Sequence, residues 1–567
     1  MKPLPIGVDD FEKLITKGYY YVDKTLFIKE LLDRRGTVNL FTRPRRFGKT
    51  LNLSMLRYYF EDIGVEERNR KNRELFSGLA IEKTGEEYAE EMCQYPVIMV
   101  TLKSAKQRTY QEAMDCLREA LAREYARHEE QIKGKLENQE DWEKFMRIRE
   151  RRGEGADYLT SLAFLSECLY QAYQKKSIIL IDEYDVPLEN AYFAGFYEEM
   201  VSFIRSLFES ALKTNPYLEF AVATGCLRVS KESIFTGLNN LRVYSVLNEN
   251  YQEYFGFTKE EVQDMLKYYG REKNLSVIKE WYDGYCFGSA EVYNPWSILN
   301  HMEDILTNQE AFPLPYWANT SSNSVVRDLV EKLDDDEGML QEQLECLMNG
   351  GTIEKAVRED ITYDTIYDNE ENLWNFLFFT GYLKKASARQ KGNNQYVTLA
   401  IPNREVSYIY QYTIHTWFDK KQKNFDMMPF YTALEEGDTD KLEEEISRFL
   451  EQTISYFDYG ESYYHGFLAG LLQRNGKYRI FSNREAGVGR ADLILKTPRI
   501  RRGRAVILEL KAVKRFQDME KGCQEALMQI EKKKYKEELQ QEGYQDIVGY
   551  GMCFYRKECI VRNGEAL

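Results

Sequence analysis

Four stretches of the chain are apolar almost without interruption: "TVNLFT" at 37–42, "YPVIMVTL" at 95–102, "SIILIDEYD" at 177–185 and "LEFAVATG" at 218–225. Runs of that length with no polar alternation fit strands covered on both faces. Helical spacing of apolar residues between them predicts an α/β fold with a parallel sheet. A charged stretch from about 105 to 175 keeps helical periodicity throughout and reads as a helical insertion. From about 240 to 435 the pattern is mainly helical, with aromatic and glycine-rich connectors such as "WYDGYCFG" and "EVYNPWSILN". Within it, "LFFTGYLKKASARQKGNNQYVTLAIPNREV" reads as a helix end followed by a β-hairpin, a pattern that suits a winged helix. An acidic helical segment at 434–450 leads into a last domain from about 450 to the end.

The first apolar run is followed by "RPRRFGKTLNL". Against the phosphate-loop pattern G-x-x-x-x-G-K-[ST] it supplies Gly48, Lys49 and Thr50, and Arg43 stands where the first glycine belongs. Strand, loop and helix follow in the order such a loop requires. Backbone N–H groups and a helix N-terminus would face the phosphates, Lys49 would neutralise their charge, and Thr50 would hold magnesium. Arg43, Arg45 and Arg46 are expected to add positive charge beside that cradle. An ordinary turn explains "GKT" alone equally well. The third apolar run, however, ends in Asp182-Glu183, where one carboxylate can organise the hydration of a metal ion and the next can polarise an attacking water. A helix N-cap is the plainer role for Asp182 or Asp185. The fourth run ends in Thr224-Gly225, where Thr224 could sense the γ-phosphate. Arg228, just beyond, could stabilise transition-state charge in cis or in trans, or be a surface arginine.

Composition narrows the setting. A chain of 567 residues is too long for one core, and 43% hydrophobic with 14% aromatic residues fills several. With 77 Lys and Arg against 92 Asp and Glu, the net charge of −15 would repel a polyanion on average, so contact with nucleic acid must be local. Nine scattered cysteines and four histidines give no zinc pattern and fit a reduced cytoplasmic setting. The first residues lack the apolar run of a signal peptide, and no run approaches a membrane span.

Five ordered segments, "GYYYVDKTLFI", "RPRRFGKTLNLSML", "IILIDEYDVPL", "RVSKESIFTGLNNL" and "WYDGYCFGSAEVYNPWSILN", together resemble the AAA-ATPase-like family over roughly residues 1 to 300. The resemblance implies that Arg43 is the family's own variation of the loop. It also implies Lys49 and Thr50 on phosphate and magnesium, with Asp182 and Glu183 acting on the metal and the water. The expected organisation is an AAA-type P-loop ATPase domain over 1–285, with the insertion at about 105–175. A helical middle region over 286–435 and a third domain over 450–567 complete it.

The third domain carries "GRADLILKTPRIRRGRAVILELKAV". Asp492 falls on one strand, and Glu509 and Lys511 share a face of the next. Carboxylates on adjoining strands can bind a divalent metal, and a lysine can orient water or stabilise the pentavalent phosphate. A cross-strand ion pair on a solvent-facing strand explains E-x-K alone. With Glu461 opening an amphipathic helix upstream and Gln529 in a helix downstream, the order resembles the PD-(D/E)XK nuclease superfamily over about residues 450 to 560. That implies Asp492, Glu509 and Lys511 as catalytic residues with Glu461 assisting, and Mg²⁺ or Mn²⁺ on Asp492 and Glu509. From Phe481 to Arg515 there are ten Lys and Arg against three Asp and Glu, a basic stripe that fits DNA or RNA.

The function these readings support is an ATP-dependent protein whose ATPase drives or gates a metal-dependent nuclease-like domain. Its alternative is a nucleotide-dependent switch whose last domain binds nucleic acid or a partner without cutting. Arg228 acting in trans would require a homo-oligomer.

Overall fold

All four apolar runs become strands. The computed structural model describes residues 1–227, 234–235, 238–319, 326, 339–359, 361–366, 368–392, 394–422, 428–453, 461–473, 478–486, 489–498 and 503–564. The chain divides into two compact units, one of Met1–Ser322 with Gly350–Ile409 and the other of Asn323–Asn349 with Tyr410–Leu567.

In the first unit, β1 (Val38–Thr42), β2 (Val97–Thr101), β3 (Ser177–Asp182), β4 (Leu218–Gly225) and β5 (Leu241–Tyr244) form one parallel sheet in the order β2-β3-β4-β1-β5. Every residue of β1 and β3 is buried, as helices on both faces demand. Each such aliphatic side chain contributes about 1.5–3 kcal/mol. The edge strand β5 was not foreseen, because "LRVY" is four residues long and partly exposed. Between β2 and β3 the charged stretch folds as helices Tyr110–Ile132, Gln139–Arg149, Gly155–Leu159 and Ser161–Tyr173, the first two capped by Thr109 and Asn138.

The connectors after residue 240 form a small antiparallel sheet, β6 (Phe257–Thr258), β7 (Tyr285–Phe287) and β8 (Ala290–Tyr293). In "NPW" the Asn294 side chain accepts the N–H of Trp296 at 2.9 Å, and Pro295 opens the helix Pro295–Thr307. The helix Glu370–Phe379 is followed by the hairpin β10 (Lys384–Lys391) and β11 (Asn394–Ala400), as its sequence suggests; β9 (Ile353–Ala356) adds a third strand.

The second unit holds a mixed sheet, β12 (Arg479–Ala486), β13 (Gly489–Lys496), β14 (Arg504–Ala512), β15 (Asp546–Tyr555) and β16 (Glu558–Asn563). Only β14 and β15 run parallel, and the helix Met519–Lys532 makes the crossover. Strand alternation sorts β14 cleanly. Val506, Leu508 and Leu510 join one core with helices Met428–Glu436, Thr439–Thr453 and Glu461–Gln473, while Ala505 and Ile507 join Leu527 and Ile530 of the crossover helix. Glu509 and Lys511 therefore share the crossover-helix face. At Gly551, paired with Glu509, an added Cβ would lie 2.6 Å from the carbonyl oxygen of Cys523, so only glycine lets that helix approach so closely.

Candidate functional site

The loop between β1 and the helix Lys49–Phe60 places Gly48 at the helix N-cap with φ +82°, a conformation glycine adopts freely. Arg43 is not among the residues with positive φ, so the absent first glycine costs the backbone nothing there. Its guanidinium does not sit beside the cradle as expected. Arg43 is fully buried, its centre 5.1 Å from the rings of both Phe255 and Phe287, and it donates to the carbonyls of Thr42 at 2.9 Å and Tyr244 at 2.7 Å. Burial lowers its pKa to about 9, which still leaves it charged at neutral pH. The two aromatic faces and two carbonyls take the place of water around a cation the sequence placed at the phosphates. Of the other two arginines, Arg45 pairs with Glu189 and Arg46, at φ +69°, lies 4.5 Å over the ring of Trp296. Only Arg46 is exposed at the cavity that the loop borders.

That cavity, about 340 Å³, is lined by the polar side chains of Lys49, Thr50 and Glu183 and also by Tyr21, Phe257 and Leu299. Charged and apolar groups lining one pocket of this size suit a ligand that carries both phosphates and a base. Lys49 Nζ donates to the carbonyls of Arg43 at 2.8 Å and Pro44 at 2.9 Å. Asp182, at the end of β3, accepts Thr50 Oγ1 at 2.8 Å and Thr224 Oγ1 at 2.7 Å, so its carboxylate ties the ends of the loop, β3 and β4 together. Two hydroxyls around a carboxylate form an all-oxygen donor set that fits a hard cation such as Mg²⁺. Glu183 follows at φ +51°, and its carboxyl pKa is raised by burial and then by Asp182, against the opposing charges of Lys49 and Lys103. Arg228 lies outside the described residues.

Asp185 precedes the helix Val186–Ala194, yet its side chain makes no cap hydrogen bond to that helix. It accepts instead the N–H groups of Cys226 at 2.7 Å and Leu227 at 3.0 Å, holding the chain where it leaves β4. Asp185 thus holds the N-cap position with its backbone alone, and neither the Asp182 nor the Asp185 side chain caps a helix. Cys226, whose thiol lies 3.6 Å from Lys49 Nζ and is pushed up to about 11 by burial, was missed by sequence reasoning, as were Lys103 and Lys106 on the cavity wall. None of the three falls inside a recognisable motif.

The outer side of the loop is held from far along the chain. Trp317 Nε1 donates to the Arg45 carbonyl at 3.3 Å, and the Trp317 N–H donates to Glu405 at 2.8 Å. Glu405 is fully buried and also accepts Ser297 Oγ at 2.8 Å. Burial raises its pKa from 4.5 to about 7. The folded chain thus binds this proton more tightly than the unfolded chain, so the contribution is full below about pH 4.5 and is lost as pH rises through about 7. Its span is up to about 3 kcal/mol. Urea unfolding at pH 5.5 and 8 should show Glu405→Gln losing that part of the pH dependence, with its largest gain over wild type at pH 8.

In the second unit Leu493 pairs with Leu508, so the next position of the antiparallel ladder sets Asp492 opposite Glu509. Asp492 Oδ2 accepts the Leu510 N–H at 2.9 Å, and Glu509, fully buried, accepts the side-chain amide of Gln529. The two carboxylates and Gln529 are therefore brought together as the strand–strand–helix order implied, with Lys511 on the same face. Two opposed carboxylates supply oxygen ligands that fit Mg²⁺ or Mn²⁺. Glu461 is the first residue of the helix Glu461–Gln473, but its side chain lies outside the described residues. Two neighbours escaped the sequence reading. His465 Nε2 lies 2.8 Å from the Asp492 carbonyl, and Tyr535 is pushed up to about 12 by burial and by Glu509. Of the basic stripe, Lys496 pairs with Glu542, Arg504 with Asp546 and Arg515 with Asp518, while Arg499, Arg501 and Arg502 lie outside the described residues.

A parallel sheet of order β2-β3-β4-β1-β5, with a phosphate-type loop after β1 and an acid pair after β3, is the fold of a P-loop NTPase of the AAA type. Residues 5–235 match the family model described as "Predicted AAA-ATPase", and residues 459–564 match that of the PD-(D/E)XK nuclease superfamily. The chain carries an AAA-ATPase-like domain followed by a PD-(D/E)XK nuclease-superfamily domain. It is also similar to a curated "Uncharacterized protein in vnfD 5'region" of Azotobacter chroococcum mcd 1, 28% identical over 411 residues that cover 71% of this chain and 68% of that protein. Among the described residues no helix is long and apolar enough to cross a membrane.

Proposed function

We propose that the first unit binds and hydrolyses ATP and that its turnover drives or gates metal-dependent phosphodiester cleavage by the domain at 459–564. The observation that carries the ATPase reading is the hydrogen-bonded set Thr50–Asp182–Thr224 beside Lys49 and Glu183. Arg46, Gly48, Lys49 and Thr50 hold the phosphates, with Thr224 near the γ-phosphate. Thr50 and Asp182 are the residues that would hold Mg²⁺, which when bound neutralises phosphate charge. Glu183, directly after Asp182 and on the wall of the same cavity, takes the proton of the attacking water. Arg228 keeps its proposed role at the transition state.

In the second site Asp492 and Glu509 would hold the cation, Lys511 would stabilise the charge that grows on the phosphate, and Glu461 would assist. A divalent ion there supplies Lewis-acid activation of water and phosphate. A second reading, a nucleotide-dependent switch that binds nucleic acid without cutting, draws on the full burial of Glu509 and its amide partner Gln529. Purified protein with Mg²⁺ or Mn²⁺, with and without ATP, against single- and double-stranded DNA and RNA separates the two. Metal-dependent products support cleavage, and binding without products supports the switch.

Binding itself has a salt signature. If the stripe meets phosphates, log affinity falls linearly with log salt, by about 0.7 to 0.9 per phosphate neutralised. Arg504, Lys496 and Arg515 already have acidic partners. Charge reversal at Arg499, Arg501 and Arg502 should flatten the slope, read by fluorescence anisotropy across a salt series.

A further inference from the structure

The first unit's cavity has a source of positive charge that no motif announces. β2 ends at Thr101, opposite Asp182 on β3, and the Leu102 N–H donates to the Asp182 carbonyl at 3.0 Å. The chain is thus still in register with the acid pair as it leaves the sheet. Residues Lys103–Ala105 then make one 3-10 turn. Ala105 is fully buried and its N–H bonds back to Leu102 at 3.1 Å. Asn190, on the helix that follows the acid pair, donates to the carbonyl of Gln107. The turn is fixed at both ends beside Glu183.

Lys103 and Lys106 of this segment line the same cavity as Lys49, Thr50 and Glu183. Both are exposed, and among the described residues neither forms an ion pair, although the chain carries an excess of fifteen negative charges. In the order β2-β3-β4-β1, the acid pair after β3 lies between the Lys103 turn after β2 and the phosphate loop after β1. A phosphate chain held by Lys49 would present its terminal group to Glu183 with Lys103 on the far side.

We propose that Lys103, with Lys106 beside it, is a catalytic residue that meets the γ-phosphoryl oxygens from the side opposite Lys49 and supplies in cis the charge that an arginine finger supplies elsewhere. This rests on the ATP-hydrolysis reading given above. In the step itself the water oxygen bonds to the γ-phosphorus while the bond to the β,γ-bridging oxygen breaks, its electron pair leaving with ADP. The water's proton passes to Glu183 and from there to solvent. Lys103 stays protonated throughout and acts through charge on the equatorial oxygens.

The test uses the full chain with Mg²⁺. Steady-state ATPase rates, binding of a fluorescent ATP analogue, and affinity for ADP with aluminium fluoride are compared for wild type, Lys103→Ala, Lys103→Arg and Lys106→Ala. The expected result for Lys103→Ala is a fall in kcat of roughly 100-fold with ATP-analogue and ADP affinities within a few-fold of wild type. Affinity for the aluminium fluoride complex should fall with kcat, and Lys103→Arg should recover part of both. A turn that merely packs would lower all affinities together, and that result overturns the proposal. So does a Lys103→Ala kcat within about threefold of wild type in an enzyme that hydrolyses ATP, which leaves the ATPase reading standing. A wild type that binds ATP without hydrolysing it overturns both.

Discussion

Lys49→Ala will bind ATP roughly 100-fold more weakly than wild type, while Glu183→Gln will bind it normally and lose hydrolysis. Lys49 now donates two hydrogen bonds to loop carbonyls. Moving those donors onto phosphate makes charge-assisted bonds, each worth about 1.5–3 kcal/mol. Losing about 3 kcal/mol corresponds to the stated factor. Glu183 contributes nothing to that anchorage. Its amide counterpart can still hydrogen-bond a water but cannot take its proton, so kcat should fall by roughly 10²–10⁴. Equilibrium titration with a fluorescent ATP analogue, alongside phosphate-release kinetics, checks both variants. Equal loss of binding in the two would contradict the roles assigned to them.

Asp492→Asn and Glu509→Gln will each lower metal-dependent cleavage by at least roughly 1,000-fold while the ATPase continues. The size follows from the several kcal/mol that a metal ion contributes at a phosphoryl centre, at about 1.4 kcal/mol per factor of ten. Amide variants are the sharper test, because Asp492 accepts the Leu510 N–H and Glu509 accepts the Gln529 amide, and an amide oxygen can go on accepting both. Alanine at position 509 would instead leave the Gln529 amide short of an acceptor, at about 1–3 kcal/mol of stability. Lys511→Ala should keep the metal and slow the chemistry. Mn²⁺ titration calorimetry measures the first property and a cleavage time course the second. Wild-type protein that binds no Mn²⁺ through Asp492 and cuts no nucleic acid would remove the nuclease reading.

Local pattern carried the four buried strands of the first sheet because each rests on contiguous residues. An unbroken apolar run needs two covering layers whatever lies elsewhere, and the acids at 182–183 follow from their place at a strand end. E-x-K shares a face by the strand's period of two. What could not be read depends on distant partners. The charge of Arg43 is plain in "RPRRFGKT", but its direction is decided by Phe255 and Phe287, more than 200 residues on. Asp185 resembles a helix cap until β4 presents two N–H groups to it. Tyr535 and His465 belong to ordinary helical text, and only the fold brings them beside Asp492 and Glu509.

The wall behind the phosphate loop also bears on how such genes can be rearranged. Trp317 bonds the Arg45 carbonyl, Gly381 packs so close to Pro44 that an added Cβ would lie 2.8 Å from its ring, and Glu405 fixes Trp317. All three lie well past residue 235, the last residue the ATPase family model matches. A recombination event that moved residues 5–235 between relatives as a cassette would set a loop from one lineage against a wall from another. Its descendants would have to repair that seam before they could use ATP, so the loop and the segment from Trp317 to Glu405 should be inherited as one block.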